Sequence, residues 1–442
     1  MVQNQETKLI QRLIGKIDYD INQQVNAILH HPEFQKMESA WRGVLMVVDA
    51  AAGDKKVVVR LLNVSLRELY KDMTTAIEFD QSQLYKKVYS NEFDQPGGEP
   101  YGLLVGNYTF SHKPTKDVPD PVSLLHNVAK VAASAFTPFV AAASPHIFGI
   151  DCFSELKVPF KMDDIFKTLE YQRWKGLQQQ EETRYLGLVL PRMLMRRPYN
   201  ANGVKTEHRF FKEEAFKHDD YLWGNAAFAF ACVSIESFST TGWFADIKGF
   251  DPEYRTGGVI NLLRDFDGTD RREHFGKYAV EYALTDKQEK TLSDSGFIPL
   301  KDNPMIKRGI FYNVQSVQMA KRYASEAGSA NAKISGMLHY IMCANRFAHY
   351  IKVIVRDKIG GFMNASDCED FLQGWLHKYR SNSSADMASE TKAKYPLSDA
   401  KVEIHEQMGH PGRYYCVMHL KPHYQLDDIQ SHLKLITNVK LI

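Results

Sequence analysis

The chain has 442 residues, 44% of them hydrophobic and 24% charged, with a formal net charge of +2. This length and composition predict two or three domains of ordinary globular type. The near-neutral charge excludes the strong positive field that binding to nucleic acid or to an anionic membrane surface would need.

Five cysteines are spread along the chain without a CxxC pair. This usage is typical of reduced thiols in a cytoplasmic protein. The most apolar stretches are residues 128–150, which contain a lysine and two prolines, and the shorter residues 222–238. A membrane-spanning helix needs about 20 nearly uninterrupted apolar residues. We therefore predict that both stretches lie in the core and that the chain does not insert into a membrane.

The first predicted element is a helix over residues 7–30. Its apolar residues recur at spacings of three and four, which places them in a narrow stripe along one face. The stripe consists of Ile10, Ile14, Ile17, Ile21, Val25 and Ile28. Such a stripe packs either on the same chain or on a partner protein, and the spacing does not decide between these.

A second helix is predicted after Pro32, with Trp41, Val44, Leu45 and Val48 facing the core. Residues 55–62 (KKVVVRLL) are rich in β-branched side chains, which predicts a strand. The sequence Ser65-Leu-Arg-Glu68 then matches a capping box, the pattern that begins a helix.

The middle of the chain alternates between predicted strands and helices, as is typical of an α/β fold with a partly parallel sheet. Gly97 and Gly98 lack the spacing of a phosphate-binding loop, and we interpret them as a turn. The predicted strands are residues 101–106, 138–144, 184–190, 242–248, 278–283 and 309–314, and the clearest helices are residues 122–136 and 224–238.

The C-terminal third begins with a strongly apolar helix, predicted as one rod over residues 330–360 and about 40 Å long at 1.5 Å per residue. A shorter helix is predicted from residue 366 to about residue 379. Three segments then alternate with period two, residues 401–408, 413–421 and 432–442, which predicts a half-buried sheet. The last segment places Leu433, Leu435, Thr437, Val439 and Leu441 on one side and leaves its backbone edge open.

Two constellations could carry chemistry. Asp265 and Asp267 lie in a DxDGT sequence, the nucleophile pattern of haloacid-dehalogenase-type phosphatases. Asp270 replaces the expected apolar residue, and an Asp-Gly turn explains the same letters. His405, His410, Cys416, His419 and His423 could suggest zinc, but Pro422 excludes a helical HxxxH pair. We therefore predict no catalytic residue, no cofactor and no metal, with the phosphatase as the alternative.

Six blocks of the sequence resemble the large subunit of the type VI secretion contractile sheath, the TssC/VipB family. They follow the family order between about residue 30 and residue 440. The blocks are FDQSQLYKKVYSNEFDQPGGEPYGLLVGNY, PFVAAASPHIFGID, YLWGNAAFAF, LSDSGFIPL, NRFAHYIKVIVRDKIGGFM and LKPHYQLDDIQSHLKLI.

The resemblance implies a structural protein of mixed α/β class with a sheath-type fold. It implies an N-terminal helical arm over residues 1–54 that contacts a small sheath subunit, through the stripe from Ile10 to Ile28. It also implies a middle α/β domain over residues 55–305 and a C-terminal domain over residues 306–442 that shares strands between protomers, through the segment from Leu433 to Leu441.

The implied partners are the small sheath subunit, neighbouring copies of the heterodimer, an inner tube protein and a baseplate. The polymer would assemble in the cytoplasm and contract to deliver effectors. The resemblance further implies an exchanged N-terminal strand before the first helix, whereas six residues precede residue 7 here. A shortened sequence or a different way of linking protomers would each account for this.

Overall fold

The computed structural model describes residues 2–157, 165–199, 211, 213–215, 217–251, 257–264, 279–321, 323–357, 365–381, 389–406, 413–423 and 433–440. We number its helices in chain order α1 to α12: Val2–Leu29, Pro32–Ala51, Leu66–Thr75, Gln83–Tyr85, Pro121–Ser134, Gln172–Gln178, Ala227–Thr241, Asp286–Asp294, Glu326–Ser335, Leu338–Asp357, Ala365–His377 and Ser389–Lys394. Short 3-10 and π-helical segments lie at Phe79–Gln81, Lys86–Ser90, Pro145–Phe148, Phe153–Lys157, Leu169–Tyr171, Glu181–Tyr185 and His218–Asp220.

The strands β1 to β12 are Leu104–Phe110, Phe139–Ala143, Leu186–Leu190, Met193–Arg196, Leu222–Gly224, Val259–Ile260, Ile298–Pro299, Lys301–Asn303, Arg308–Ile310, Leu397–Glu406, Arg413–Pro422 and Leu433–Lys440. This mixture of helices with parallel and antiparallel strands confirms the predicted mixed α/β class.

A four-stranded parallel sheet lies at the centre of the middle region, in the order β1-β2-β3-β7. Every residue of β2 and β3 is buried, as expected for a parallel sheet covered on both faces. Alternate residues belong to different cores: Ala141 lies in one cluster with Leu125 of α5. Val140 lies in another with Phe230 of α7.

The capping box is confirmed at the start of α3. The Glu68 N–H donates to Ser65 Oγ at 3.2 Å, and the Ser65 N–H donates to Glu68 Oε2 at 2.8 Å. Both partners lie within three residues of each other, so the sequence alone specifies this helix start.

The predicted single rod over residues 330–360 is wrong. Two helices, α9 and α10, are separated at Gly336 and Met337. The Ser316 N–H donates to Gly336 O and the Leu338 N–H donates to Val314 O, each at 3.1 Å. Because Gly336 O and the Leu338 N–H bond to the segment around Gln315, they do not form the hydrogen bonds of a continuous helix.

Helix α10 forms the centre of the third core cluster. Phe347 and Ile351 are fully buried there, together with Leu372 of α11 and Met418 of β11. The strands β10, β11 and β12 make an antiparallel sheet in that order over this cluster. The three alternating segments at the C-terminal end of the sequence are thus confirmed as one sheet.

Three predicted strands do not form as predicted. Residues 57–65 have no regular secondary structure. Residues 242–248 do not form a strand; they begin with Gly242, whose left-handed conformation ends α7. Within the described part of residues 278–283, the structure has one isolated bridge, between Val280 and Met193. Apolar and β-branched residues also occur in buried segments that do not form strands. Trp243, for instance, is buried against the ring of Phe347, with 4.0 Å between the ring centroids.

Candidate interaction surfaces

Helix α1 presents its apolar stripe to solvent. Ile10, Ile14, Ile17, Ile21 and Ile28 are each 52–56% exposed, and Val25 is half-buried. Among the described side chains of α1, Asn26 is the one that is buried. All six residues predicted for partner binding therefore lie on one helix, and this chain leaves five of them uncovered.

The C-terminal end of α1 is attached to the body by polar contacts. The Glu214 N–H donates to Asn26 Oδ1 at 3.1 Å, and His30 Nε2 lies 3.1 Å from Glu213 Oε1. Glu213 is buried and paired with Arg196 of β4, whose NH2 group donates to Glu213 Oε1 at 3.0 Å. Burial alone would raise the pKa of Glu213, but the hydrogen bond and charge of Arg196 lower it overall. The carboxylate therefore stays charged and holds the base of α1.

Helix α2 carries a second exposed apolar stripe, which sequence reasoning assigned wrongly. Trp41 is 66% exposed, and Leu45 and Val48 are also exposed, so the expectation that they face the core is wrong. Val44 does pack partly against the core, as predicted. Met37 extends the outward stripe at a spacing of four. The sequence therefore contained the apolar periodicity of the stripe, but this periodicity does not show whether the stripe faces the core or the solvent.

The opposite face of α2 is fixed by a close helix contact. A Cβ atom added at Gly43 would lie 2.2 Å from the ring of Phe228 on α7. The missing side chain lets the two helices approach, so Trp41, two positions earlier, is directed away from the core. Val58, Leu61 and Leu62 in the following segment are exposed as well.

The residues predicted for contacts between protomers lie in the last strand of the C-terminal sheet. The register places Leu433, Leu435 and Thr437 of β12 opposite Leu420, Met418 and Cys416 of β11. These three β11 side chains are fully buried. Val439 pairs with Tyr414, while Leu441 lies outside the described residues. In the described part of the sheet, β12 is the terminal strand opposite β10.

The possible zinc residues that the structure describes are not grouped into a metal site. Cys416 is buried, which raises the pKa of its thiol to about 12, and His405 lies 3.3 Å from Glu403. Burial lowers the pKa of His423. His410 lies outside the described residues, and the described ones contain no group of three side chains placed to bind a metal ion.

Asp265 and Asp267 also lie outside the described residues. Arg264, directly before them, is buried and its NH1 group donates to Asp302 Oδ2 at 2.9 Å. A cavity of about 30 Å³ between α10 and the end of β11, lined by His339, Cys343 and His423, has room for one or two water molecules and is too small for a substrate.

In the part of the chain that the structure covers, no helix has the length and apolar composition to span a membrane. The five cysteines are all free thiols, and four of them are buried. Among the described residues, extended apolar exposure occurs on α1, on the outward stripe of α2 and in the segment from Val58 to Leu62, and β10 and β12 are the outer strands of the C-terminal sheet.

Two family models match consecutive parts of the chain. One is described as EvpB/VC_A0108, tail sheath N-terminal domain (VipB), and matches residues 11–318. The other is described as EvpB/VC_A0108, tail sheath gpW/gp25-like domain (VipB_2), and matches residues 327–439. Together they cover most of α1, the outward stripe of α2 and most of the C-terminal sheet.

Two known proteins are similar to the chain. The type VI secretion system sheath protein TssC1 of Pseudomonas aeruginosa is 37% identical over 449 residues, covering 99% of this chain and 87% of that protein. A chain of the cryo-EM structure of the anti-feeding prophage (AFP) baseplate, 6-fold symmetrised, has 7% sequence identity and a TM-score of 0.38, covering 88% of this chain and 80% of that one.

Proposed function

Because the chain belongs to the VipB/EvpB tail sheath family of type VI secretion systems, we propose that it forms a heterodimer with a small sheath subunit. The heterodimers polymerise with neighbouring copies in the cytoplasm into a helical tube that grows from a baseplate around an inner tube protein. Contraction of the tube drives the inner tube and its spike out of the cell. The role of the chain is mechanical, and no step of it is enzymatic.

The observation that carries this proposal is the uncovered stripe on α1. The helix has 28 residues, about 42 Å at 1.5 Å per residue, and five of the six stripe residues are more than half exposed. Large contiguous apolar surfaces are rare on monomers and mark protein interaction sites. A stripe at spacings of three and four is suited to an apolar face of a partner helix. We therefore assign the N-terminal arm, residues 1–54, to the small sheath subunit.

The attachment of α1 supports the same assignment. The helix is held at one end by Asn26, His30 and the buried Glu213, while most of its described side chains from Thr7 to Gln24 are exposed. A surface fixed at its base loses less conformational freedom on binding than a loose segment does. Trp41 and Leu45 of α2 offer a further exposed apolar surface to a partner.

The C-terminal domain, residues 306–442, is assigned to contacts between protomers. A terminal strand offers a row of backbone donors and acceptors to an added strand, and β12 holds this position in the sheet. Residues 433–441 of the last segment are the proposed joint. The middle domain, residues 55–305, then forms the rigid body between the two contact regions.

The first experiment targets the stripe on α1 by placing a carboxylate in it. Ile17→Asp, co-expressed with the small sheath subunit, should reduce the amount of small subunit that co-purifies at least tenfold, because a charge is costly to bury in an apolar contact. Gln23→Asp is the matched control, since it adds the same charge to an exposed position on another face of α1. Equal co-purification of the small subunit with both variants would refute the assignment of α1.

A further inference from the structure

The two outer strands of the C-terminal sheet differ in what covers their edges. In the described part of the chain, the one strand that forms a ladder with β10 is β11, and α11 lies beside the other edge of β10. An uncovered edge strand invites pairing with any extended segment, which proteins prevent by blocking the edge or use for assembly. What occupies the backbone groups of β10 therefore decides where another strand can join.

The beginning of β10 is occupied by the backbone that follows α11. The Leu397 N–H donates to Tyr379 O at 3.2 Å, and the Ser381 N–H donates to Leu397 O at 3.0 Å. Arg380 Nε donates to Ser398 O, also at 3.2 Å. Leu397, the first residue of β10, thus already has a parallel backbone neighbour on the outer side, and the side chain of that neighbour contacts Ser398.

The middle of β10 is occupied by side chains of α11. Gln373 Nε2 donates to Ala400 O and Gln373 Oε1 accepts from the Val402 N–H, both at 2.8 Å. The carboxamide therefore takes the place of the N–H and C=O groups of one residue of a parallel strand, which would donate and accept at the same two positions. Glu369 Oε2 accepts from the Ile404 N–H at 3.0 Å and continues the same arrangement.

The spacing of helix and strand makes this possible. Glu369 and Gln373 are four residues apart on one face of α11, a rise of about 6 Å. Val402 and Ile404 point their backbone groups to the same edge two residues apart, about 6.6 Å along the strand. The two repeats nearly match, so consecutive turns of the helix meet consecutive outward N–H groups of the strand.

We propose that α11 closes the β10 edge and thereby restricts strand addition to β12, with Gln373 and Glu369 as the residues that determine this choice. The inference rests on the proposed function, because it concerns which edge receives an extended segment of a neighbouring protomer. The sheet then grows in one direction, and each protomer offers a single acceptor edge. Neither residue belongs to the predicted joint, and neither contacts it through any hydrogen bond described.

The first measurement is hydrogen exchange of the backbone amides in the full chain co-purified with its small subunit. Val402 and Ile404 should exchange slowly in the unaltered protein. Gln373→Met keeps the size of the side chain but removes both bonds, so exchange at Val402 should become at least tenfold faster while Ile404 stays protected. Asp370→Met on the exposed side of α11 is the control and should change neither amide. Fast exchange at both amides of the unaltered protein would overturn the proposal, whether or not tubes form.

The second measurement uses assembled polymers. A photo-crosslinking phenylalanine analogue replaces either Lys401 of β10 or Asn438 of β12, and mass spectrometry identifies whether the captured strand belongs to the large or the small subunit. Cross-links between protomers should be at least tenfold more abundant from position 438, and Gln373→Met should raise those from position 401. Equal cross-linking from both positions in unaltered polymers would overturn the edge assignment. Absence of any polymer, with Val402 and Ile404 still protected, would instead count against the proposed function.

Discussion

Helices α1 and α10 have apolar residues at the same helical spacings, but those of α10 are buried in the core and those of α1 face solvent. In α10, the apolar side chains of Leu338, Phe347 and Ile351 are fully buried, whereas the described part of α1 has no buried apolar side chain. The pattern shows that each helix needs an apolar neighbour. It does not show whether this neighbour belongs to the same chain.

The width of the apolar surface separates the two cases. Helix α10 buries side chains on several sides, against α11, the C-terminal sheet and residues from the middle region. Helix α1 has a narrow stripe between charged and polar residues. A narrow stripe is covered by a single partner helix, so α1 can remain folded on one side of an interface. Helix α10 depends on the whole fold around it.

The largest effect should come from emptying the core around α10. Phe347→Ala removes a fully buried ring that stacks on Trp243, and substitutions of this kind cost about 3–5 kcal/mol. Ile17→Ala on α1 should change the free energy of unfolding of the same chain by less than about 0.5 kcal/mol, as is usual for exposed sites. Urea unfolding followed by tryptophan fluorescence compares the two. Similar losses in both variants would show that α1 is packed within its own chain.

An intermediate effect should follow acidification. His349 of α10 lies 2.9 Å from Ala135 O, and burial, with Arg346 nearby, lowers its pKa to about 3. The unfolded chain, with a histidine pKa near 6.5, then binds more protons than the folded chain between these values. Stability should therefore fall by about 1.4 kcal/mol for each pH unit below 6.5. Buried His339, whose pKa is lowered well below its usual value, acts in the same direction.

The test of the acid effect is the slope of stability against pH between pH 4 and 6. His349→Gln should reduce this slope by about 1.4 kcal/mol per unit, whatever its effect on stability at pH 7. An unchanged slope would mean that His349 is already protonated in the folded chain.

The smallest effect compares the two faces of α2. Gly43→Ala forces a methyl group against the ring of Phe228 and should destabilise the chain by about 1–3 kcal/mol. Trp41→Ser on the exposed face should stay within about 0.5 kcal/mol, although it removes a much larger side chain. The two melting temperatures measure this difference. A larger loss for Trp41→Ser would place that face in the core, as the sequence suggested.

Features whose partners are close in sequence were predictable. The Ser65 capping box, the core strands β2 and β3 and the alternating C-terminal strands all follow from local patterns. The break at Gly336 and the exposure of Trp41 do not, because both depend on segments far along the chain. The same holds for Gln373, whose partner Ala400 lies in another element.

The two proposed contact regions also differ in how much of each could be predicted from the sequence. The stripe on α1 could be located from the sequence because one helix contains it, although the exposed Leu9 and Leu13 lie outside the predicted set and partner binding stays a prediction. The backbone register of β12 confirms a strand, whereas its role between protomers stays a prediction. The closed edge of β10 could not be predicted. Glutamine and glutamate occur on the polar face of an amphipathic helix whether they face solvent or bind a strand, so the sequence does not distinguish the two cases.

The order of the central sheet affects how the protein is synthesised. Strand β7 pairs with β3 through Val189 and Ile298, so about a hundred residues beyond β3 must leave the ribosome before the sheet is complete. At about 5–20 residues per second this takes roughly 5–20 s. Helix α1 emerges long before then and exposes its stripe throughout. The small subunit, as the partner proposed for α1, would cover this helix during translation while the rest of the chain is still folding, and so limit capture by chaperones or by other nascent chains.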